Sequence, residues 1–333
     1  MDDYNAPVPG PTKLLLPALL AALLAACPGG PEEPGAEARA LYARGGEALQ
    51  RGDTGQALAD FKTAADLAPD WTEAWQALAV AAWLTHDYAA FMRAAEELLE
   101  RDPEDAHVTA LLVEVALLAG DAGTAGRAVE RLRGLRPQAP KTLLLAARLA
   151  FELGELGEAG VLARRASERD ASLAEAHHIE GRVHEERGNT AAAAQAYRRA
   201  LATDPGHQGA RDAQASLLAR LGHPAEAEAH RRLHGAIAAA TERHFRARPA
   251  AERAETFGAL VAELPRWVQG QVELGRALLE RGDLPGAEAA LKRALELDPG
   301  HPAAHQLYGR VLLRQERPKA AELHFQHALS LGR

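Results

Sequence analysis

Residues 174–207 read AEAHHIEGRVHEERGNTAAAAQAYRRALATDPGH. With Ala174 counted as position 1, Gly181 is 8, Gly188 is 15, Ala193 is 20, Tyr197 is 24, Ala200 is 27 and Pro205 is 32. The same residue types recur along the chain with a 34-residue step, which is the length of one helix-turn-helix repeat. The copy that begins at Ala38 supplies Gly45, Gly52, Ala57, Phe61, Ala64 and Pro69, the next opens with Trp75 and Leu78, and the last supplies Gly309, Ala321, Phe325 and Ala328.

Each position has a mechanical reason. Small residues at 8, 20 and 27 let paired helices approach closely, and the aromatic at 24 fills the space they leave. Glycine at 15 ends the first helix, because a left-handed cap costs it little. Asp53, Asp87, Asp121, Asn189 and Asp283 follow at the turn, where they are expected to cap the second helix. Proline at 32 stops that helix before the next repeat. One such repeat cannot bury its own apolar face, but stacked repeats can.

The pattern resembles the tetratricopeptide repeat. The resemblance implies an all-α fold, a right-handed superhelical solenoid of antiparallel helix pairs with seven to eight repeats and a concave groove. Repeats run over 38–71, 72–105, 106–139, 140–173, 174–207 and 208–234, an array spanning 38–234. Three of them are degenerate: Phe91 stands at the small position 20, Val129 and Ala163 at the aromatic position 24, and Ala171 at the proline position 32. After Gly222 and Ala227 the spacing fails, so 235–267 is expected to be an irregular helical hinge region with an overlong helix before it. Two C-terminal repeats then fill 268–333.

The N-terminus is of another kind. Lys13 precedes an apolar run from Leu14 to Ala26, and the run ends Leu24-Ala25-Ala26-Cys27 at the only cysteine of the chain. Such a run is too short to span a bilayer, which needs about 20 residues, but suits export. It resembles a bacterial lipoprotein signal with its lipobox. That resemblance implies a signal peptide over 1–26, lipidation of Cys27, and a lipid-anchored, exported protein, with the outer membrane facing the periplasm favoured because Pro28 follows the cysteine. The stretch 27–37, rich in proline and glycine, reads as a tether.

Net charge is −8 with 5% aromatic residues, which argues against nucleic acid as a partner. A local basic run, Arg243 to Arg248 with Arg231 and Arg232 before it, reads as a solvated face. A single cysteine excludes CxxC motifs and disulfide frameworks, and no phosphate-loop, GxSxG or HExxH motif occurs. The chain therefore reads as a non-enzyme without cofactors. His230 and His234 stand at i,i+4, and His177 and His184 at i,i+7, but neither pair implies a third ligand, so no metal site is expected.

The groove is the expected binding surface. In tetratricopeptide proteins, positions 2, 5, 9, 12 and 13 of the first helix line it. Carried over, they are Arg39, Tyr42, Leu49, Gln76, Val80, Trp83, Leu117, Leu144 and Phe151, an apolar track, with Arg148, Arg182, Arg276 and Arg310 at position 9 as a rail for carboxylates. The competing role for the arginines is pairing within their own helices, Arg148 with Glu152, Arg182 with Glu185 or Glu186, and Arg276 with Glu280. The expected partner is a protein or peptide segment in the groove. The architecture also resembles pilotins, lipoproteins that help secretin or pilus channels reach the outer membrane. A regulator of an envelope enzyme and a periplasmic ligand- or metal-binding receptor are the alternatives.

Overall fold

The computed structural model describes residues 34–242, Phe245 and 248–331. The signal, Cys27 and most of the tether lie outside the described residues. Among the described residues there are seventeen helices and no strand. They fall into two compact bodies, one up to Arg169 and one from Asp170.

The first body is four helix pairs: α1 (Ala36–Arg51) with α2 (Thr54–Leu67), α3 (Thr72–Thr85) with α4 (Tyr88–Arg101), α5 (Ala106–Leu118) with α6 (Ala122–Leu135), and α7 (Pro140–Glu152) with α8 (Leu156–Arg169). The second body holds α9 (Ala174–Glu186) with α10 (Thr190–Thr203), α11 (Gln208–Arg220) with α12 (Pro224–Thr241), then α13 (Ala250–Glu263), α14 (Val268–Arg281) with α15 (Leu284–Leu297), and α16 (Pro302–Arg314) with α17 (Pro318–Leu331). The division falls inside the 38–234 array, while 235–267 lies wholly within the second body.

The repeat positions act as their chemistry requires. An ideal Cβ at Gly181 would stand 2.3 Å from Cε1 of Tyr197, and one at Gly45 would stand 2.8 Å from Cε1 of Phe61, so position 8 is small because the ring of position 24 occupies the space. Where Phe91 takes position 20, position 24 is Ala95, and both are buried, so the bulk has changed places within the pair. Gly188 turns at φ +73; His86 at φ 59 and Glu316 at φ 60 make the same turn with a side chain.

Four of the five caps expected from the sequence form at the starts of second helices. Asp53 accepts from Gln56 N–H, Asp87 from Ala90, Asp121 from Thr124 and Asp283 from Gly286, all at 2.9–3.1 Å. Asn189 is the exception, since its side chain makes no cap hydrogen bond. Position 4 ties successive repeats: Trp75 Nε1–H donates to Pro69 C=O at 2.7 Å, His305 Nε2–H to Pro299 C=O at 2.9 Å, and Arg211 to Pro205 C=O. Each link satisfies a carbonyl that the proline stop leaves without a helical partner.

The irregular segment has a simple construction. Counted back one repeat from Val268, a repeat would open at His234, which puts α13 at positions 17–30, Phe257 at 24 and Pro265 at 32. Its first helix is the continuation of α12, which at 18 residues is longer than its counterparts. Ile237 and Ala240 from that continuation pack with Phe245, Phe257, Leu260 and Trp267 in one buried cluster. The segment is thus a repeat whose first helix is fused to the second helix of the repeat before it.

Candidate functional site

Three first helices of the first body, α3, α5 and α7, are too apolar to keep a free face along their length. Residues 74–82 of α3 are all buried, as are Ala106 and 108–116 of α5 and most of α7, the expected result for helices hydrophobic all round. Gln76, Val80 and Leu144, expected on the groove, are therefore core. Their apolar side chains emerge mainly in the last turns. Leu49, Trp83, Leu117 and Phe151, all at position 12, are half-buried, and so are Leu84 and Leu118 beside them.

This leaves an apolar band at one end of four consecutive first helices. Trp83, half-buried, meets Phe91 edge-on at 6.2 Å between ring centres. At the start of the body, Tyr42 is half-buried against Trp71 at 4.6 Å and Phe61 at 5.4 Å. Its hydroxyl is pushed up by burial and by the nearby Glu73 carboxylate. Arg39 is exposed. Lys141 pairs with the buried Glu114, which removes that carboxylate from the surface electrostatics. On the side of the second helices, a cleft of about 490 Å³ lies among α4, α5 and α6, with Glu96 and Glu100 facing Arg127 and Arg131 over Leu99 and Leu112.

The arginines divide between the bodies. Arg148 is half-buried in the first; Arg182 and Arg276 are half-buried, and Arg310 exposed, in the second. Arg276 pairs with Glu273 at 3.2 Å rather than with Glu280, whose carboxylate is taken by Arg253. The basic run is similarly neutralised where it is described: Arg231 meets Glu228, Arg232 meets Glu263 at 2.7 Å, and Arg248 meets Glu252 at 2.5 Å. His177 and His184 are half-buried, as position 4 and 11 packing requires. His230 and His234 each keep Nδ1 buried without a partner.

The structure also assembles groups that lie far apart in sequence. Glu175, His178 and His207 bring three ligand-type atoms within 4.8 Å. Their hydrogen bonds decide what they do. Ala210 N–H donates to His207 Nδ1 at 3.0 Å, capping α11, so the neutral ring carries its proton on Nε2 and gives it to Glu175 at 2.8 Å. A metal ion would need that same Nε2 lone pair. The trio is a proton-bearing clasp between α9 and the start of α11. Burial raises the Glu175 carboxyl, but the two imidazoles beside it, His178 at 3.6 Å and the hydrogen-bonded His207, outweigh it and hold the group well below the usual carboxylate range. The sequence signal was Glu175 and His178 at i,i+3, with His207 nearly one repeat further on.

No helix among the described residues is long and apolar enough to cross a membrane. Two family models, both described as tetratricopeptide repeat, match residues 35–255 and 272–333. No curated protein matches the chain. Among solved structures, MamA is similar at 18% identity, over 47% of this chain and 86% of that one, with a TM-score of 0.39. The APC/C hetero-tetramer Cut9–Hcn1 is similar at 15% identity, over 89% and 61%, with a TM-score of 0.41. The human IFIT1 dimer with m7Gppp-AAAA is similar at 14% identity, over 88% and 72%, with a TM-score of 0.45.

Proposed function

The chain belongs to the tetratricopeptide-repeat family, a repeat scaffold capable of protein–protein interaction, and from that premise we propose that it is a lipid-anchored adaptor of the bacterial envelope that holds a segment of a partner protein. The observation that carries the binding part is the apolar band of Leu49, Trp83, Leu117 and Phe151 at the exposed ends of α1, α3, α5 and α7. Apolar side chains repeated at one register along a stack suit an extended or helical segment with regularly spaced apolar anchors. The anchoring part rests on Leu24-Ala25-Ala26-Cys27 and the proline- and glycine-rich tether behind it. Two acyl groups bury enough CH₂ to hold a protein on a membrane, where a single chain is marginal. Such a placement suits a role in assembling an envelope complex of the secretin or pilus kind.

The two parts have separate tests. In crosslinked pull-downs from envelope fractions, Trp83→Ala with Phe151→Ala should lose the partners that the wild type recovers, since truncating apolar anchors of this kind typically costs about 1–2 kcal/mol each or more. Retention of the same partners at wild-type yield by a variant with wild-type circular dichroism would exclude the band. Independently, fatty acid fed to cells should label the protein and fail to label Cys27→Ala.

A further inference from the structure

The second body ends in three imidazoles, His305 on α16 and His324 and His327 on α17. Their ring centres are 5.1 Å apart for His305 and His324, 5.2 Å for His305 and His327, and 6.5 Å for His324 and His327. With Zn–N bonds of about 2.1 Å and tetrahedral angles, three imidazoles on one ion have centres about 5 Å apart. Two of the three separations already match. The third, between His324 and His327, closes by rotation of the exposed His327 side chain.

The tautomers also agree with ligation, in contrast to the Glu175 clasp. His305 Nε2–H donates to Pro299 C=O at 2.9 Å, so the lone pair of His305 lies on Nδ1. That nitrogen faces His324 Nδ1 at 2.8 Å, two imidazole nitrogens sharing one proton. An ion replacing the proton needs no new tautomer at His305 and only the equivalent one at His324. A ring N–H tied to a backbone carbonyl is the arrangement that orients and fixes metal-binding histidines. The ring of Tyr308 packs on His324 at 4.6 Å and holds it in place. Neither ring forms an ion pair among the described residues, whereas positive charge from Arg182 reaches His178 in the other cluster.

We propose that His305, His324 and His327 form a binding site for a divalent late transition-metal ion, with three imidazole nitrogens and a fourth position open to water or to a donor from outside the chain. Three nitrogen donors suit Zn²⁺, Ni²⁺ or Cu²⁺ rather than Mg²⁺ or Ca²⁺. The ion would clasp the last helix pair, joining α17 to α16 and, through Pro299, to the end of α15.

Zn²⁺ is the probe, titrated into the purified protein with heat and melting temperature as readouts, and Co²⁺ absorption reports the geometry. One ion should bind with tetrahedral Co²⁺ bands and raise the melting temperature. His327→Ala, which alters an exposed side chain only, and His324→Ala should each weaken binding at least about tenfold, since even second-layer changes at metal sites cost about 10–100-fold. His178→Ala and His230→Ala should bind as the wild type does. Absence of Zn²⁺ binding by the wild type, wild-type affinity in His327→Ala and His324→Ala, or a loss that follows His178→Ala instead would each overturn the site.

Discussion

At position 15 the repeat asks for a left-handed residue, and Glu316 shows what happens when glycine is absent. Its φ of 60 is one that a side chain adopts at a cost of about 1–2 kcal/mol, part of which glycine gives back through its freer unfolded state. Glu316→Gly should therefore stabilise the second body by about 0.5–1 kcal/mol in urea unfolding; no change would mean that the turn carries no strain. The opposite experiment is at Gly181. A methyl group there would meet the buried Tyr197 ring at 2.3 Å, and the ring is held by its hydroxyl donating to Glu185 at 2.5 Å. Gly181→Ala should cost about 1–3 kcal/mol by overpacking, and Tyr197→Leu in the same chain should recover part of it. Positions such as these were legible in the sequence because each depends on contacts inside one repeat. Burial of Gln76, Val80 and Leu144 was not, because a groove position becomes core only when the whole helix around it is apolar. The histidine clusters were illegible for a related reason: His207 lies nearly one repeat away from Glu175, and His305 lies 19 residues from His324.

At the scale of elements, the departure from the repeat between α12 and α14 is the informative one. The failed spacing was plain in the sequence, and the overlong helix with it. What escaped was that Phe257 and Pro265 still sit at positions 24 and 32, because the first half of that repeat has no separate helix to announce it. The shared helix has a packing consequence. Ile237 and Ala240 must serve α13, so the cluster they form depends on Trp267, which lies over Gly206 and Gly270 so closely that a Cβ on either would stand 2.0–2.2 Å from the indole. Trp267→Ala should cost about 3–5 kcal/mol and speed amide exchange in α13 more than in α9 or α15. Equal protection in all three helices would show that the cluster does not hold the segment. The terminal pair is different again. Leu323 is 60% and Leu329 68% exposed, so the outer face of α17 is less polar than its glutamate and histidines suggest.

Across the whole molecule, repeat proteins owe their stability to each repeat and to its join with the next, so a weak join divides their cooperativity. The division into two bodies at Arg169 and Asp170 coincides with a repeat that lacks its proline stop, since Ala171 stands where Pro69, Pro205 and Pro299 stand elsewhere. At the same place the position 4 residue His177 keeps Nδ1 buried without a hydrogen bond, 3.8 Å from Glu180 of its own helix. Unfolding should then occur in two steps rather than one. The tryptophans make this measurable, because Trp71, Trp75 and Trp83 belong to the first body and Trp267 alone to the second. Fluorescence of the intact chain therefore reports mainly on residues up to 169, while circular dichroism reports on both bodies. The expected result is a fluorescence transition sharper than the circular dichroism transition and displaced from it in denaturant. Coincident curves would mean that all the repeats unfold as one unit and that the junction at Ala171 is as strong as the joins a proline makes.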